Sequence, residues 1–154
     1  MARSATELLV TQSLIDRLIA VDEWPTTRAQ SLRYFKEALK RDLEWLLNTR
    51  QPPLPEIEGY PLAKASTINY GLPDITSLGL TSASDNRRLR LAIEACLRNF
   101  EPRLADVRVT LEGGDTTERK LRFHIEGTMK LDPAPEEISF DTVLELSSGE
   151  YKVK

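Results

Sequence analysis

The sequence predicts an α+β fold in which two main helices, plus a short N-terminal helix, pack on a three-stranded antiparallel sheet. Apolar residues recur at helical spacing in the first two thirds of the chain and alternate with polar residues in the last third. The 154 residues, 40% of them hydrophobic, suffice for one domain that buries its own core. We therefore expect a single domain over residues 1–154, with residues 1–25 as a short N-terminal helical segment.

The short N-terminal helix is predicted by apolar residues at helical spacing before Pro25. These residues are Leu14, Ile15, Leu18 and Ile19. Thr11 or Ser13 can cap the start of this helix. Because a proline disfavours helical angles in its predecessor, we expect the helix to end between Val21 and Trp24.

The second helix is predicted to carry one apolar stripe and one basic face, and Thr26 or Thr27 can cap its start. Its stripe residues are Leu32, Phe35, Leu39, Leu43, Leu46 and Leu47. From Arg28 to Arg50, six basic residues accompany three acidic ones, which gives this segment a charge of +3. Such a face is usually solvated, but it can also dock an acidic protein partner.

The chain between the two main helices is predicted to be irregular. Pro52, Pro53 and Pro55 favour an extended connector, because proline fixes its own backbone and restricts its predecessor. Residues 60–80 mix glycines and prolines with large apolar side chains, which are too many for a disordered segment. These apolar residues are Ile68, Tyr70, Leu72 and Ile75. We expect this segment to be ordered and packed.

The third predicted helix begins after Ser82 or Ser84 and ends near Phe100, because Pro102 forces Glu101 out of helical geometry. Its apolar stripe consists of Leu89, Ile93, Cys96, Leu97 and Phe100. Four arginines lie largely outside that stripe: Arg87, Arg88, Arg90 and Arg98. A strand is expected almost immediately after the helix.

Three strands are predicted from alternation of apolar and polar residues, and one face of the resulting sheet is apolar. The first contains Val107, Val109 and Leu111, the second Leu121, Phe123 and Ile125, and the third Ile138, Phe140, Thr142, Leu144 and Leu146. Gly113-Gly114-Asp115 is predicted to form the turn between the first two strands. The third strand follows Pro133 and Pro135.

The sequence contains few residues suited to catalysis. Cys96 lies on an apolar stripe and is expected to be buried, whereas His124 alternates with core residues and should face solvent. We find no zinc-ligand spacing, phosphate-binding loop or dinucleotide fingerprint. Glu101 and Asp106 are the carboxylates that a peptidoglycan hydrolase would need, although nearby arginines favour their ionised forms. We expect no enzyme activity, no catalytic residue, no cofactor and no metal.

Charge and cysteine content indicate a protein of the cytoplasm. The net charge of -3 lacks the basic footprint of a nucleic-acid-binding protein, and the single cysteine cannot form an internal disulfide. No signal peptide or membrane-spanning apolar stretch is recognisable, so direct membrane insertion is not expected. The segment from Leu104 to Lys154 carries a charge of -4, opposite in sign to the second helix, and such asymmetry favours docking between proteins.

The tripeptide Glu101-Pro102-Arg103 places opposite charges on either side of a residue that fixes the backbone. This arrangement permits two interpretations. Glu101 and Arg103 could pair with each other and lock the junction between helix and strand, or they could present a charged fork to a partner. Local sequence alone favours neither interpretation.

Four ordered segments carry a resemblance to a known family: SLIDRL at residues 13–18, DLEWLLNTR at 42–50, NYGLPD at 69–74 and FEPRL at 100–104. The chain resembles the TssE family of small baseplate subunits of the type VI secretion system. More broadly, it is similar to the lysozyme-related wedge proteins of contractile phage baseplates. Glu101-Pro102-Arg103 is the most specific element of the resemblance.

The resemblance implies a structural subunit of a baseplate wedge, with TssF, TssG, other wedge components and sheath subunits as partners. It implies a cytoplasmic location in a membrane-docked baseplate. The positions expected to bind partners or to form the junction are Glu101, Pro102 and Arg103, and by extension Tyr70, Leu72 and Asp74. We also hypothesise that an open edge of the sheet accepts a strand from a sheath subunit and so templates sheath assembly.

Two alternative functions remain open at this stage. The first is a cytoplasmic adaptor that binds an acidic protein through the basic helix between Arg28 and Arg50. The second, which has less support, is a peptidoglycan hydrolase that acts through Glu101 and Asp106.

Overall fold

A computed structural model describes residues 9–19, 25–74, 82–115 and 120–154. The helices in this part are α1 (Leu14–Leu18), α2 (Arg28–Asn48), α3 (Pro61–Lys64) and α4 (Ala83–Phe100), with 3-10 turns at Pro55–Ile57 and Thr67–Asn69. The strands are β1 (Leu104–Asp115), β2 (Lys120–Met129), β3 (Glu136–Glu145) and β4 (Glu150–Val153). The predicted α+β class is confirmed. Within these residues, no helix has the length and apolar character needed to cross a membrane.

The sheet has four antiparallel strands in the order β1-β2-β3-β4, so the prediction of three strands is wrong. β4 has only four residues, of which Tyr151 and Val153 are buried. Two apolar positions are too few to produce a recognisable alternation, which is why the sequence did not reveal this strand. The predicted turn at Gly113-Gly114-Asp115 is also wrong, because β1 continues to Asp115.

The two main helices match their predicted positions and buried faces. The Thr27 hydroxyl accepts the Gln30 amide hydrogen at 3.2 Å and the Gln30 side chain accepts the Thr27 amide hydrogen at 3.3 Å, which forms a capping box. The stripe residues of α2 are buried from Phe35 to Leu47. On α4, Ser82 caps the start, and the stripe residues Leu89, Ile93, Cys96 and Leu97 are buried. Both helices therefore cover the apolar face of the sheet.

The N-terminal helix α1 is shorter than predicted, because it ends at Leu18 rather than between Val21 and Trp24. Ser13 caps it by accepting the Asp16 amide hydrogen at 3.3 Å. None of the α1 residues is buried. Residues 20–24 lie outside the described part of the chain.

Residues 60–74 of the segment predicted to be irregular contain α3 and a 3-10 turn, Ile68 is exposed rather than packed, and the segment is tied to the end of α2. Leu72 is fully buried, and its amide donates to the Thr49 carbonyl oxygen at 2.9 Å, while the Gln51 amide donates to the Leu72 carbonyl oxygen at 2.8 Å. Gly71 precedes this bridge with φ +109°, and its carbonyl accepts the Cys96 thiol at 3.2 Å. Burial raises the pKa of Cys96 to about 12, as expected for a structural cysteine. The predicted Ile75 lies outside the described residues.

We predict that Gly71→Ala strongly destabilises the chain. A Cβ atom at position 71 would lie 2.4 Å from the Thr49 carbonyl oxygen, on a backbone with positive φ that L side chains rarely adopt. The free energy of unfolding, measured by urea denaturation, should fall by about 2 kcal/mol or more. Gly59→Ala is the control, because a Cβ there has nothing within 4 Å. Equal midpoints for the two variants would contradict this account.

Candidate functional site

The candidate site is built at the junction where α4 ends and β1 begins. The Glu101 amide makes the last helical hydrogen bond, to the Leu97 carbonyl oxygen at 2.9 Å. Pro102 cannot continue the helix. The Leu104 amide then donates to the Glu101 carbonyl oxygen at 3.2 Å, and β1 starts at that residue. The turn between helix and strand is therefore as short as predicted.

Glu101 and Arg103 pair with each other across this turn. Arg103 Nε donates to Glu101 Oε1 at 2.7 Å, Nη2 donates to Oε2 at 2.5 Å, and the Arg103 amide donates to Oε1 at 3.1 Å. The Glu101 side chain is only 5% exposed, so this bidentate pair neutralises a buried carboxylate. Although burial opposes the charged guanidinium, the bonds to Glu101 raise the pKa of Arg103. The internal-pairing interpretation is thus realised.

The Glu101–Arg103 pair is the end of a longer charged chain that crosses three elements. Arg103 Nη2 also donates to Asp42 Oδ2 at 2.8 Å, and Asp42 Oδ1 accepts Arg41 Nη2 at 2.8 Å. Arg41 Nη1 then donates to Asp16 Oδ1 at 2.7 Å, which attaches α1 to α2. The hydrogen bond from Arg41 lowers the pKa of Asp16. Alternating acids and arginines therefore connect the junction, α2 and α1.

A groove of about 430 Å³ lies beside this charged chain. Its apolar lining consists of Leu14, Ile15, Trp45, Leu46, Tyr70, Phe100 and Pro102. The rings of Tyr70 and Phe100 meet edge to face at 5.3 Å, and the Arg41 guanidinium lies 4.8 Å above the Trp45 ring. The charged side chains of the groove are paired with one another. This arrangement suits recognition of a surface better than proton transfer, which requires an acid or base that is free to exchange its proton.

The structure brings together four of the six predicted site residues. Glu101, Pro102, Arg103 and Tyr70 all line the groove. Leu72 is fully buried in the core, and Asp74 is exposed outside the groove lining. Whether any of these residues contacts a partner stays a prediction.

Sequence reasoning missed the carboxylates that complete the charged chain. Asp42 bonds to Arg103 across 61 positions, and Asp16 bonds to Arg41 across 25. A sequence pattern that compares near neighbours cannot detect such pairs. The available signal was the resemblance itself, since both residues lie within its matching segments.

The two carboxylates considered for hydrolysis do not share a groove. Glu101 lines the groove described above, whereas Asp106 lines a separate one with Arg108 and His124 on the outer face of the sheet. Both carboxylate oxygens of Glu101 also accept hydrogen bonds from the Arg103 guanidinium, at 2.7 and 2.5 Å, so neither is free to serve a reacting group. Within the described residues, no cluster of histidine, cysteine and acidic side chains could hold a metal ion.

His124 lies on the outer face of the sheet, as predicted. Its Nδ1 is 2.8 Å from Asp141 Oδ1, and its Nε2 is 3.7 Å from Glu126 Oε1. The hydrogen bond to Asp141 raises the pKa of His124. With a side chain that is 29% exposed and acidic contacts at Asp141 and Glu126, this histidine is a surface ion-pair partner.

Comparison with known proteins identifies two similarities. Residues 33–134 match the sequence profile of the family described as "Baseplate wedge protein gp25". The fold is similar to that of a chain in the baseplate complex from the type VI secretion system, with a TM-score of 0.50. This alignment covers 72% of the present chain and 94% of the other, at 17% sequence identity. No curated protein matches the sequence.

We predict that Arg103→Ala destabilises the fold because it leaves the buried Glu101 carboxylate without its counter-charge. The free energy of unfolding should fall by about 3 kcal/mol in urea denaturation. Adding Glu101→Gln should restore part of the loss, since a neutral amide costs less to bury than an unpaired carboxylate. Arg33→Ala, which breaks the exposed pair with Glu37, should cost less than about 0.5 kcal/mol. An Arg103→Ala variant as stable as the parent chain would refute this role.

We also predict that the His124 imidazole titrates above its ordinary pKa, and that Asp141→Asn lowers the value. Proton NMR of the imidazole ring across a pH series measures both. Because the pair favours the imidazolium in the folded chain, its stabilisation is fully present below the ordinary pKa. It is lost as the pH rises through the raised value. An unchanged titration in Asp141→Asn would contradict the assigned hydrogen bond.

Proposed function

This chain belongs to the baseplate wedge protein gp25 family, and we propose that it is the TssE subunit of a type VI secretion baseplate, connecting the baseplate to the contractile sheath. The observation that carries this proposal is an edge of β3 that no strand within the described residues covers, beside edges that the chain closes with its own side chains. The fold similarity to a chain of a type VI secretion baseplate complex supports the same assignment.

The outer edge of β4 is closed by side chains of α2. The Tyr151 amide donates to Asn48 Oδ1 at 2.9 Å, and the Tyr151 carbonyl accepts Asn48 Nδ2 at 2.8 Å. Two residues further along β4, the Val153 amide donates to Glu44 Oε2 at 3.2 Å. Asn48 thus mimics the hydrogen bonds of a neighbouring strand. These backbone groups are not available to a partner unless α2 moves.

The outer edge of β1 is closed at its centre by a side chain of α4. The Val109 amide donates to Glu94 Oε1 at 3.0 Å, and Arg90 Nη1 holds the same carboxylate oxygen at 2.9 Å. Glu94 is buried, so an incoming strand that took over its hydrogen bond to β1 would leave its carboxylate exposed or without a hydrogen-bond partner. A strand added at this edge therefore meets an energetic barrier.

The first half of β3 extends beyond β4, and among the described strands it pairs only with β2. β4 pairs with β3 only from Thr142 to Glu145, and the Asp141 carbonyl accepts the Lys154 amide at 2.7 Å. In an antiparallel sheet, alternate residues direct their backbone groups to the same side. The backbone groups of Ser139 and Glu137 therefore point to the same side as those of Asp141. Both are exposed. A strand from a sheath subunit that pairs here would continue the line of β4 and so template the sheath.

We propose that the partners TssF and TssG bind at the groove beside the junction. Arg103 is 23% exposed there, and Pro102 and Tyr70 contribute adjacent apolar surface. Leu72 lies in the core, and we propose that the exposed Asp74, although outside the groove lining, also contacts the partner. The pairing of Glu101 with Arg103 fixes the groove before a partner arrives, which reduces the entropic cost of docking. We place the subunit in the cytoplasm, within a membrane-docked baseplate.

The adaptor alternative has less support, because most cations of α2 are already engaged. Arg33 pairs with Glu37 at 3.0 Å, Lys36 with Glu136 at 2.6 Å, and Arg41 with Asp16 and Asp42. Arg50 Nη2 donates to the Gly149 carbonyl oxygen at 2.8 Å. A partner that used this face would compete with intramolecular bonds. We therefore favour the structural role in the baseplate, with no enzymatic turnover.

We predict that Ser139→Pro abolishes sheath assembly while leaving the isolated chain folded. Proline removes the amide hydrogen that an incoming strand would need. Ser139→Ala is the matched control, because it keeps that amide and should assemble sheaths normally. Sheaths can be counted by fluorescence microscopy in cells that express each variant, and circular dichroism verifies the fold. Normal sheath assembly on a folded Ser139→Pro subunit would exclude strand addition at this edge.

A further inference from the structure

The exposed face of α4 has an organisation that neither core packing nor the proposed junction explains. Three positions, Ser84, Leu91 and Ala95, follow one another along the centre of this face at helical spacing, and all are exposed. Arg87 and Arg98 lie on one side of this line, and Arg88 and Asn99 lie on the other. We call these seven residues the arginine ridge. It runs along about 22 Å of the helix, or roughly four turns.

The arginines of the ridge have no internal neutralising partner. Arg87, Arg88 and Arg98 make no ion pair or hydrogen bond with any residue in the described part of the chain. Arg90, on the flank of the same helix, instead pairs with Glu94 at 2.9 Å. The basic side chains of α2 likewise have partners within the chain at Arg33, Lys36 and Arg41. The ridge is therefore a concentration of unpaired positive charge.

The centre of the ridge distinguishes it from a purely electrostatic surface. Leu91 is 46% exposed, and Ala95 beside it presents a side chain small enough for another helix to approach closely. An apolar line between charged flanks is the pattern by which one helix recognises another, with the flanking charges selecting the partner. Because three of the four flanking residues are arginines and none is acidic, the complementary partner has acidic flanks.

We propose that the arginine ridge binds an amphipathic helix of another protein, with small or branched apolar residues on its contact line and acidic residues on both flanks. The partner helix lies along α4, places an apolar side chain against Leu91 and Ala95, and pairs its carboxylates with Arg87, Arg88 and Arg98. This surface lies opposite the face by which α4 covers β1. It is therefore separate from the β3 edge.

The test uses the full chain and a labelled synthetic helix of about three heptads, with leucines on the contact line and glutamates on the flanks. Fluorescence anisotropy should detect binding that weakens in 0.5 M salt, as screening of the charge pairs requires. A peptide with lysines in place of the glutamates should not bind. Failure of the acidic peptide to bind the parent chain at low salt would overturn the proposal.

Variants separate the ridge from other basic surfaces. Arg88→Glu with Arg98→Glu should weaken binding by about tenfold or more, and Leu91→Gln should also weaken it. The control, Arg33→Glu with Lys40→Glu on α2, should leave the affinity unchanged, and so should Ser139→Pro. Circular dichroism verifies that each variant is folded. Control variants that weaken binding as much as the ridge variants would overturn the assignment to α4.

Duplex DNA and phosphatidylglycerol vesicles are the competing probes. A surface that recognises phosphate groups would bind them through its arginines and would not need Leu91. Two results together would identify the ligand as a polyanion rather than a helix. Binding of DNA or vesicles would be weakened by Arg88→Glu with Arg98→Glu but not by Leu91→Gln, and Leu91→Gln would leave peptide binding unchanged as well. Loss of peptide binding in both ridge variants supports the helix.

Discussion

The bidentate bond between Glu101 and Arg103 is the interaction on which the arrangement of the remaining elements depends. A carboxylate that is only 5% exposed is stable only when hydrogen bonds and a counter-charge replace its hydration. Arg103 supplies both, and through Asp42 it ties the α4–β1 turn to α2. Pro102 ends α4, and the Glu101–Arg103–Asp42 bonds then hold the start of β1 against α2.

The edges of the sheet follow a related principle, in which polar side chains take the place of absent strands. Asn48 and Glu44 cover β4, and Glu94 covers the centre of β1. All three belong to helices whose opposite faces are packed in the core, so their positions are fixed by apolar burial. The helices thus have two roles: they bury the apolar face of the sheet, and they decide which backbone groups remain available.

Sequence periodicity was sufficient for the elements with long and regular patterns. The stripes of α2 and α4, the alternation in three strands and the break at Pro102 all correspond to observed features. β4 was not predicted because two apolar residues define no period. A turn was wrongly predicted at Gly113-Gly114-Asp115 because glycine is compatible with both strand and turn. At the site, the local pair Glu101–Arg103 could be anticipated as one of two arrangements. Asp42 and Asp16 could not, because only tertiary folding brings them to the arginines.

The two hydrogen bonds between Asn48 and the backbone of Tyr151 limit how this chain can pair with its own copies. A small protein with long open strands at both ends of its sheet would pair with its own copies as its concentration rises during synthesis. An asparagine that occupies the backbone of β4 removes one of those two surfaces. Self-association into fibres needs two compatible edges, so closing one of them stops such growth at the first pairing.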